Sequence, residues 1–222
     1  YNRPEIVGVD NIPSTGPAII ASNHQSVMDS FFLPLLCPRQ ITFLAKAEYF
    51  NGTTLVGRLQ KWFFTNVGQR PVNRTSASAG QDALNTAVEV LNDGDLFGIY
   101  PEGTRSPDGR LYKGKTGVAR IALASGAQVI PVAMIGTRDV NPIGTWFPRP
   151  GKVRVKVGDP IYPIEFVNNR GLERDSYEAI RALTDHIMRQ LQQLSGQEYA
   201  DVYAAEVKKA LAEGGDSSPH NP

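Results

Sequence analysis

His24 and Asp29 are the pair in this chain whose types and spacing could do acid–base chemistry. A short apolar run, Ile19-Ile20-Ala21, reads as a buried strand and delivers Ser22-Asn23-His24-Gln25-Ser26-Val27-Met28-Asp29. His24 is one of 3 histidines, and His186 and His220 lie toward the C-terminus. An imidazole takes up and releases a proton near neutral pH. In a continuous helix, residues five apart are turned about 140° from each other and share no face. The two side chains therefore meet only if His24 sits on the turn entering a helix and Asp29 in its first turn. Ser26-Val27-Met28-Asp29 has nearly the form of a capping box, with Ser26 as N-cap. Asp29 thus has two readings. It is a cap acid, or it accepts the imidazole N–H, fixes the tautomer and leaves the other nitrogen as a general base. Spacing alone leaves both open.

Two more loops carry groups that complement this pair. Tyr100-Pro101-Glu102-Gly103-Thr104-Arg105-Ser106 follows an apolar strand and offers a guanidinium, two hydroxyls, a carboxylate and a glycine that lets backbone N–H groups approach. An arginine fork suits phosphate bidentately, which makes Arg105 a candidate phosphate clamp. Arg70-Pro71-Val72-Asn73-Arg74 carries two cations on a loop stiffened by Pro71. Taken singly, these stretches also fit a surface Glu102–Arg105 pair and a solvated basic loop. As a set, with no serine elbow to act as nucleophile, they suggest attack by a substrate's own hydroxyl. The acceptor would carry a phosphate, and the reaction would be acyl transfer or hydrolysis.

The elements that must position these groups follow an α/β pattern. Strands are expected at Glu5 to Val9, Pro17 to Ala21, Ile41 to Ala45, Leu96 to Tyr100, Gln128 to Ile135 and Val153 to Val157. Helices are expected at Val27 to Leu36, Ala79 to Leu91 and Thr116 to Ser125, and from Leu172 to about Glu213 with a break at Ser195-Gly196. Tyr177, Ile180, Leu183, Ile187 and Leu191 make the apolar stripe of the last. Gly68 to Ser78 reads as a polar, basic loop. His186, beside Asp185 and Arg189, reads as a core-edge histidine. Residues 1–213 are expected to form one layered domain, with motifs over 7–160, a helical part at 172–213 and a disordered tail at 214–222.

Composition narrows the classes. With 222 residues, 41% hydrophobic and 20% charged, the chain can bury one substantial core. A formal net charge of +1 gives no global attraction to nucleic acid, so any anion site must be local. A lone cysteine, Cys37, forms no intramolecular disulfide, and no paired Cys/His spacing suggests zinc. No run of about 20 apolar residues spans a bilayer. The first residue is Tyr1, which leaves open an anchor or targeting segment ahead of it.

These residues resemble the four sequence blocks of the glycerolipid acyltransferase family, of the lysophosphatidic acid acyltransferase type. Asn23 through Asp29 matches the block of histidine, four residues and aspartate. Gly68 through Arg74 resembles the second block, with Pro71 where an aromatic is usual. Tyr100 through Ser106 matches the third, and Val129-Ile130-Pro131-Val132-Ala133 the fourth.

The resemblance implies transfer of a fatty acyl chain from a thioester, acyl-CoA or acyl carrier protein, to the free hydroxyl of lysophosphatidic acid. It implies His24 as base, Asp29 as its partner, and no metal or cofactor. Glu102, Gly103, Thr104 and Arg105 would shape the acceptor-phosphate site, with Arg74, Arg70 and Lys46 as further cations and backbone N–H groups of the third block as oxyanion donors. The same fold is implied: a mixed, mostly parallel sheet flanked by helices, without a dinucleotide-binding glycine motif. Both substrates carry acyl tails, so peripheral or monotopic work at the cytoplasmic face of a membrane is expected. The apolar and basic stretch Glu48 to Phe64 would make that contact; a helix packed on the core also fits it. Alternatives are another lysophospholipid, glycerol-3-phosphate or glycolipid acceptor, a thioesterase or lipid hydrolase using the same pair, and a non-catalytic lipid binder.

Overall fold

The computed structural model describes residues 2–46, 69–72, 79–145 and 147–213, with the backbone alone at 45–46 and 69–72. Its centre is β2 (Ala18–Ser22), all five residues of which are buried. Ile19 and Ala21 enter one core layer, Ala18 and Ile20 the other. A strand covered on both faces reads as a continuous apolar run, which is how β2 reads.

Around it lie β1 (Glu5–Val7), α1 (Asp29–Leu36), β3 (Ile41–Lys46), β4 (Gln69–Val72), α2 (Ala79–Asn92), β5 (Leu96–Ile99), β6 (Leu111–Tyr112) and α3 (Gly117–Ser125). Then come β7 (Gln128–Ile135), α4 (Thr137–Val140), β8 (Arg154–Val157), α5 (Pro163–Asn168), α6 (Tyr177–Ser195), β9 (Tyr199–Ala200) and α7 (Ala204–Ala212). Among the described residues seven strands form one sheet, ordered β1-β8-β7-β2-β5-β3-β4. The run from β7 to β4 is parallel, β8 is antiparallel to β7, and β1 is parallel to β8. The mixed, mostly parallel α/β fold expected from the sequence is the one that forms. Helices α2, α3, α5 and α6 cover one face, and α1 with α4 packs on the other.

This order places the chemistry. β2 and β5 are adjacent and parallel, with Ala21 opposite Ile99, so the His24 and Tyr100 loops leave the sheet side by side. Ligands collect at such carboxyl ends of parallel strands. β3 and β4 end at the same edge, with the Lys46 backbone paired to Val72.

Three expectations change. Gln69–Val72 is an edge strand rather than a loop, with Pro71 paired to Ala45. Proline has no N–H for a second neighbour, and an edge strand needs none. The C-terminal region is not one broken helix: α6 stops where Gly196 adopts φ 72°, and β9 precedes α7. β9 pairs with β6 in a second, two-stranded sheet whose dipeptides carry no periodic signal. Within α6, Ile180, Leu183, Ile187 and Leu191 are buried as expected, but Tyr177, first residue after the Ser176 cap, is exposed. Glu48 to Phe64 and the 214–222 tail lie outside the described residues.

Gly98, buried at the middle of β5, ties packing to the site. A Cβ there would come within 2.4 Å of the Phe43 ring. Phe43 in turn stacks on Tyr100 at 5.5 Å. Overpacking of this kind costs about 1–3 kcal/mol. Gly98→Ala is expected to lower unfolding stability in urea by that amount, whereas Gly80→Ala, where a Cβ meets nothing, should not.

Candidate active site

β2 ends at Ser22, and the next residue fixes the loop that follows. Asn23, fully buried, accepts from the Met134 N–H (2.7 Å) and donates to the Met134 carbonyl (3.0 Å) on β7 and to Gln197 Oε1 (2.6 Å). His24 follows. Its main chain is held by the neighbouring loop: its N–H donates to Glu102 Oε1 (2.9 Å), and its carbonyl accepts from the Ser106 N–H (2.8 Å).

The imidazole is held on two more sides. Nδ1 lies 3.0 Å from Asp29 Oδ2, and the ring stacks on Tyr100, with centroids 4.0 Å apart and planes 12° apart. Burial foremost, and the nearby Asp29 charge, raise the Tyr100 phenol above its ordinary range, so it stays neutral. The pairing assigns the Nδ1 proton to the aspartate side and leaves the Nε2 lone pair for substrate. The His24 side chain is 17% exposed and Asp29 0%, so only the imidazole reaches solvent.

One oxygen of Asp29 makes the contacts of both readings, to the imidazole and to the turn. Oδ2 also accepts from the Gln25 N–H (2.6 Å) and the Ser26 N–H (2.8 Å). That is half of a capping box, in which the acid reaches back to the turn. Ser26 is not the side-chain cap of α1. Its Oγ accepts from the Met28 N–H (3.2 Å) and donates to the Asn141 carbonyl (2.9 Å). Among the described residues, Asp29 Oδ1 is buried without a hydrogen-bond partner.

The third-block loop separates its residues by depth. Glu102 is fully buried, with Oε1 on His24 and Oε2 accepting from the Tyr112 N–H (3.0 Å). Its side chain ties the His24 loop to β6. The alternative of a surface Glu102–Arg105 pair does not form. Gly103 turns the chain with φ 73° and donates to the Tyr100 carbonyl (2.9 Å). Thr104 Oγ1 accepts from Lys208 Nζ (2.7 Å). Arg105 is half-buried and has no carboxylate partner among the described residues.

Lys46 and Arg70 have only their backbones described, at the same sheet edge, and Arg74 lies outside the described residues. His186 sits away from this site, tilted on Phe166 at 4.9 Å; burial and then Arg189 and Arg170 lower its pKa. Among the described residues no group of three His, Cys, Asp or Glu side chains could hold a metal ion. Sequence reading gave no role to Tyr100, although it opens the third block, and passed over Asn23, which stands next to the histidine. Lys208 had no local signal at all.

The model of the family described as Acyltransferase matches residues 3–135. The chain is 34% identical over 164 residues to the chloroplastic 1-acyl-sn-glycerol-3-phosphate acyltransferase of Arabidopsis thaliana, covering 73% of this chain and 44% of that one. It is 26% identical over 194 residues to the 1-acyl-sn-glycerol-3-phosphate acyltransferase of Bacillus subtilis, covering 86% and 87%. The crystal structure of the 1-acyl-sn-glycerophosphate acyltransferase PlsC from Thermotoga maritima superposes with a TM-score of 0.67 at 31% identity, covering 87% of this chain and 72% of that one. The chain spans about half the length of the plant relatives it matches.

Burial pushes the Glu102 carboxyl from 4.5 up to about 7, and the Asp29 charge adds to this; the His24 and Tyr112 N–H groups, then Lys208, pull it back. Between those two values the folded state binds the extra proton, so stability falls as pH rises through this window. For a shift of this size the loss is at most about 3 kcal/mol. Urea unfolding of the wild type at pH 5 and pH 8 should show that loss. Glu102→Gln, which has no proton to release, should show a flatter profile.

Proposed function

The chain belongs to the Acyltransferase family, and from that premise we propose that it moves a fatty acyl chain from a thioester to the free hydroxyl of lysophosphatidic acid, giving phosphatidic acid. One observation carries the reading: Nδ1 of His24 is committed to Asp29, leaving Nε2 as a base beside the arginine-bearing loop. A hydrolase would need the base, but Arg105, without a carboxylate partner among the described residues, favours an acceptor that carries its own phosphate. The named activity of the relatives agrees in substrate class.

The step needs no covalent enzyme intermediate. The acceptor hydroxyl oxygen bonds to the thioester carbonyl carbon while its proton passes to His24 Nε2. The imidazolium that results is stabilised by the Asp29 carboxylate. As the tetrahedral species collapses, the C–S bond breaks and the leaving thiolate takes the proton back. The developing oxyanion requires donors in place. Gly103 and Ser106 already give their N–H groups to Tyr100 and His24, so the Thr104 and Arg105 amides are our candidates within this loop. Arg105 would bind the acceptor phosphate, with Lys46, Arg70 and Arg74 as further cations. The donor would be acyl-CoA or acyl carrier protein, with no other cofactor.

Both substrates would be drawn from, or returned to, a lipid surface. No described helix is long and apolar enough to cross a membrane. The acyl tails of the substrates are our reason for proposing peripheral or monotopic work at the cytoplasmic face, with Glu48 to Phe64 as the contacting stretch.

Thiol release from palmitoyl-CoA, with and without lysophosphatidic acid, tests the reading. The wild type should release thiol only when acceptor is present. His24→Ala should lose between about 10²- and 10⁴-fold in turnover. Release without acceptor would assign a thioesterase, and unchanged His24→Ala turnover would sink the mechanism. Asp29→Asn keeps an oxygen for the Gln25 and Ser26 N–H groups but not the charge. It should lower kcat by at least about 10²-fold, since a mis-set imidazole partner has effects of that order or larger, with little change in Tm.

A further inference from the structure

The family match ends at residue 135, yet a cation from α7 lies against the third-block loop. We propose that α7 closes a phosphate-binding site, in which the Lys208 ammonium stands beside Thr104 and Arg105 while the Lys115 side chain lies over Gly103.

The placement is built rather than incidental. α7 packs through Ala204 and Val207 on a small core made by Tyr112 and Ala200, from the β6–β9 sheet. β6 is itself tied to the loop, because Tyr112 donates to Glu102. Register along α7 then directs the residue after Val207, half-buried Lys208, onto Thr104 Oγ1. On the other flank, the Lys115 N–H donates to the Pro101 carbonyl (2.8 Å). Its side-chain carbons and Nζ pass so near Gly103 that a Cβ there would lie 3.1–3.3 Å from them.

Three cations thus converge on one short loop, and none of them has a carboxylate partner within ion-pair distance among the described residues. Glu102 lies beneath, buried, and gives both oxygens to backbone N–H groups. Burial, and then the Arg105 charge, lower the Lys208 pKa, while Glu102 raises it, so the ammonium is close enough to feel both. Like charges held together cost stability, and a bound anion lowers that cost. Beside them an open groove of about 390 Å³ is walled by Lys115, Thr116, Tyr203, Ala205 and Glu206, leaving room for what the phosphate is attached to.

A phosphate ester fits this chemistry: its oxygens accept charge-assisted hydrogen bonds from ammonium and guanidinium alike. The inference rests on the acyl-transfer reading only for the two molecules that could bring the phosphate, the acceptor with its phosphomonoester or the donor with its nucleotide phosphates.

Equilibrium titration calorimetry of the whole chain, with glycerol 3-phosphate and separately with coenzyme A, tests it without turnover. Lys208→Met should weaken binding of one of the two by about tenfold or more, and Lys208→Arg should restore most of it. The ligand affected names the source. Circular dichroism and Tm of both variants should match the wild type, since Lys208 is half-exposed. Binding of both ligands unaltered by Lys208→Met, or no binding of either by the wild type, would overturn the site. A wild type that binds but transfers no acyl group would instead sink the acyl-transfer reading and leave the phosphate site standing.

Discussion

Two hydrogen bonds of the His24 main chain join the ends of adjacent strands: its N–H donates to the Glu102 carboxylate, and its carbonyl accepts from the Ser106 N–H. Because β2 and β5 are parallel neighbours, the loops that follow them leave the sheet at the same level, and each satisfies the other's orphan groups. Backbone polar groups taken from water must find partners. Here that requirement fixes the spacing between a base and a cation-bearing turn. Everything proposed for the site depends on this clamp, from the imidazole orientation to the reach of Arg105.

Around the clamp the structure keeps charge scarce and assigned. Asp29 is buried, and its Oδ2 gathers the His24 ring and two N–H groups. Glu102 is buried, and each of its oxygens takes one N–H. Unpaired buried charge is expensive, so a carboxylate in such a place needs donors ready for it. The two acids therefore act as fasteners of main chain as much as electrostatic partners. Tyr100 adds a flat apolar face, itself backed by Phe43, which in turn is packed against the empty side of Gly98. A missing Cβ on β5 is thus linked by two stacked rings to the imidazole.

The C-terminal segment contributes more than a cover for the sheet. Gln197 bonds both Asn23 and the Gly109 carbonyl, joining the entry to the His24 loop with the turn before β6. β9 completes a parallel pair with β6, and α7 sits on it. These contacts connect residues up to 174 positions apart in the chain. They make the first half of the site dependent on the last quarter of the sequence.

The sequence by itself determined the α/β class, most of the described elements and the candidacy of His24, Asp29 and Arg105, because each leaves a local signature. A buried parallel strand is a run of apolar residues, an amphipathic helix repeats every three to four residues, and a histidine five residues before an aspartate at a helix entrance can be tested by geometry. Tertiary structure decided what has no such signature. Gln69–Val72 became a strand through its pairing with β3, although proline and arginine argue for a loop. Glu102, a surface partner for Arg105 or part of an acceptor site as far as the sequence showed, is a buried fastener because the His24 and Tyr112 N–H groups both arrive at it. Tyr100, as an aromatic at a strand end, could have faced either way until β2 set His24 beside it. Lys208 stands among other lysines of a helix and is singled out only by the packing of Ala204 and Val207. Local patterns are written in neighbouring residues, whereas the partner of a buried polar group is chosen by which distant segment arrives beside it.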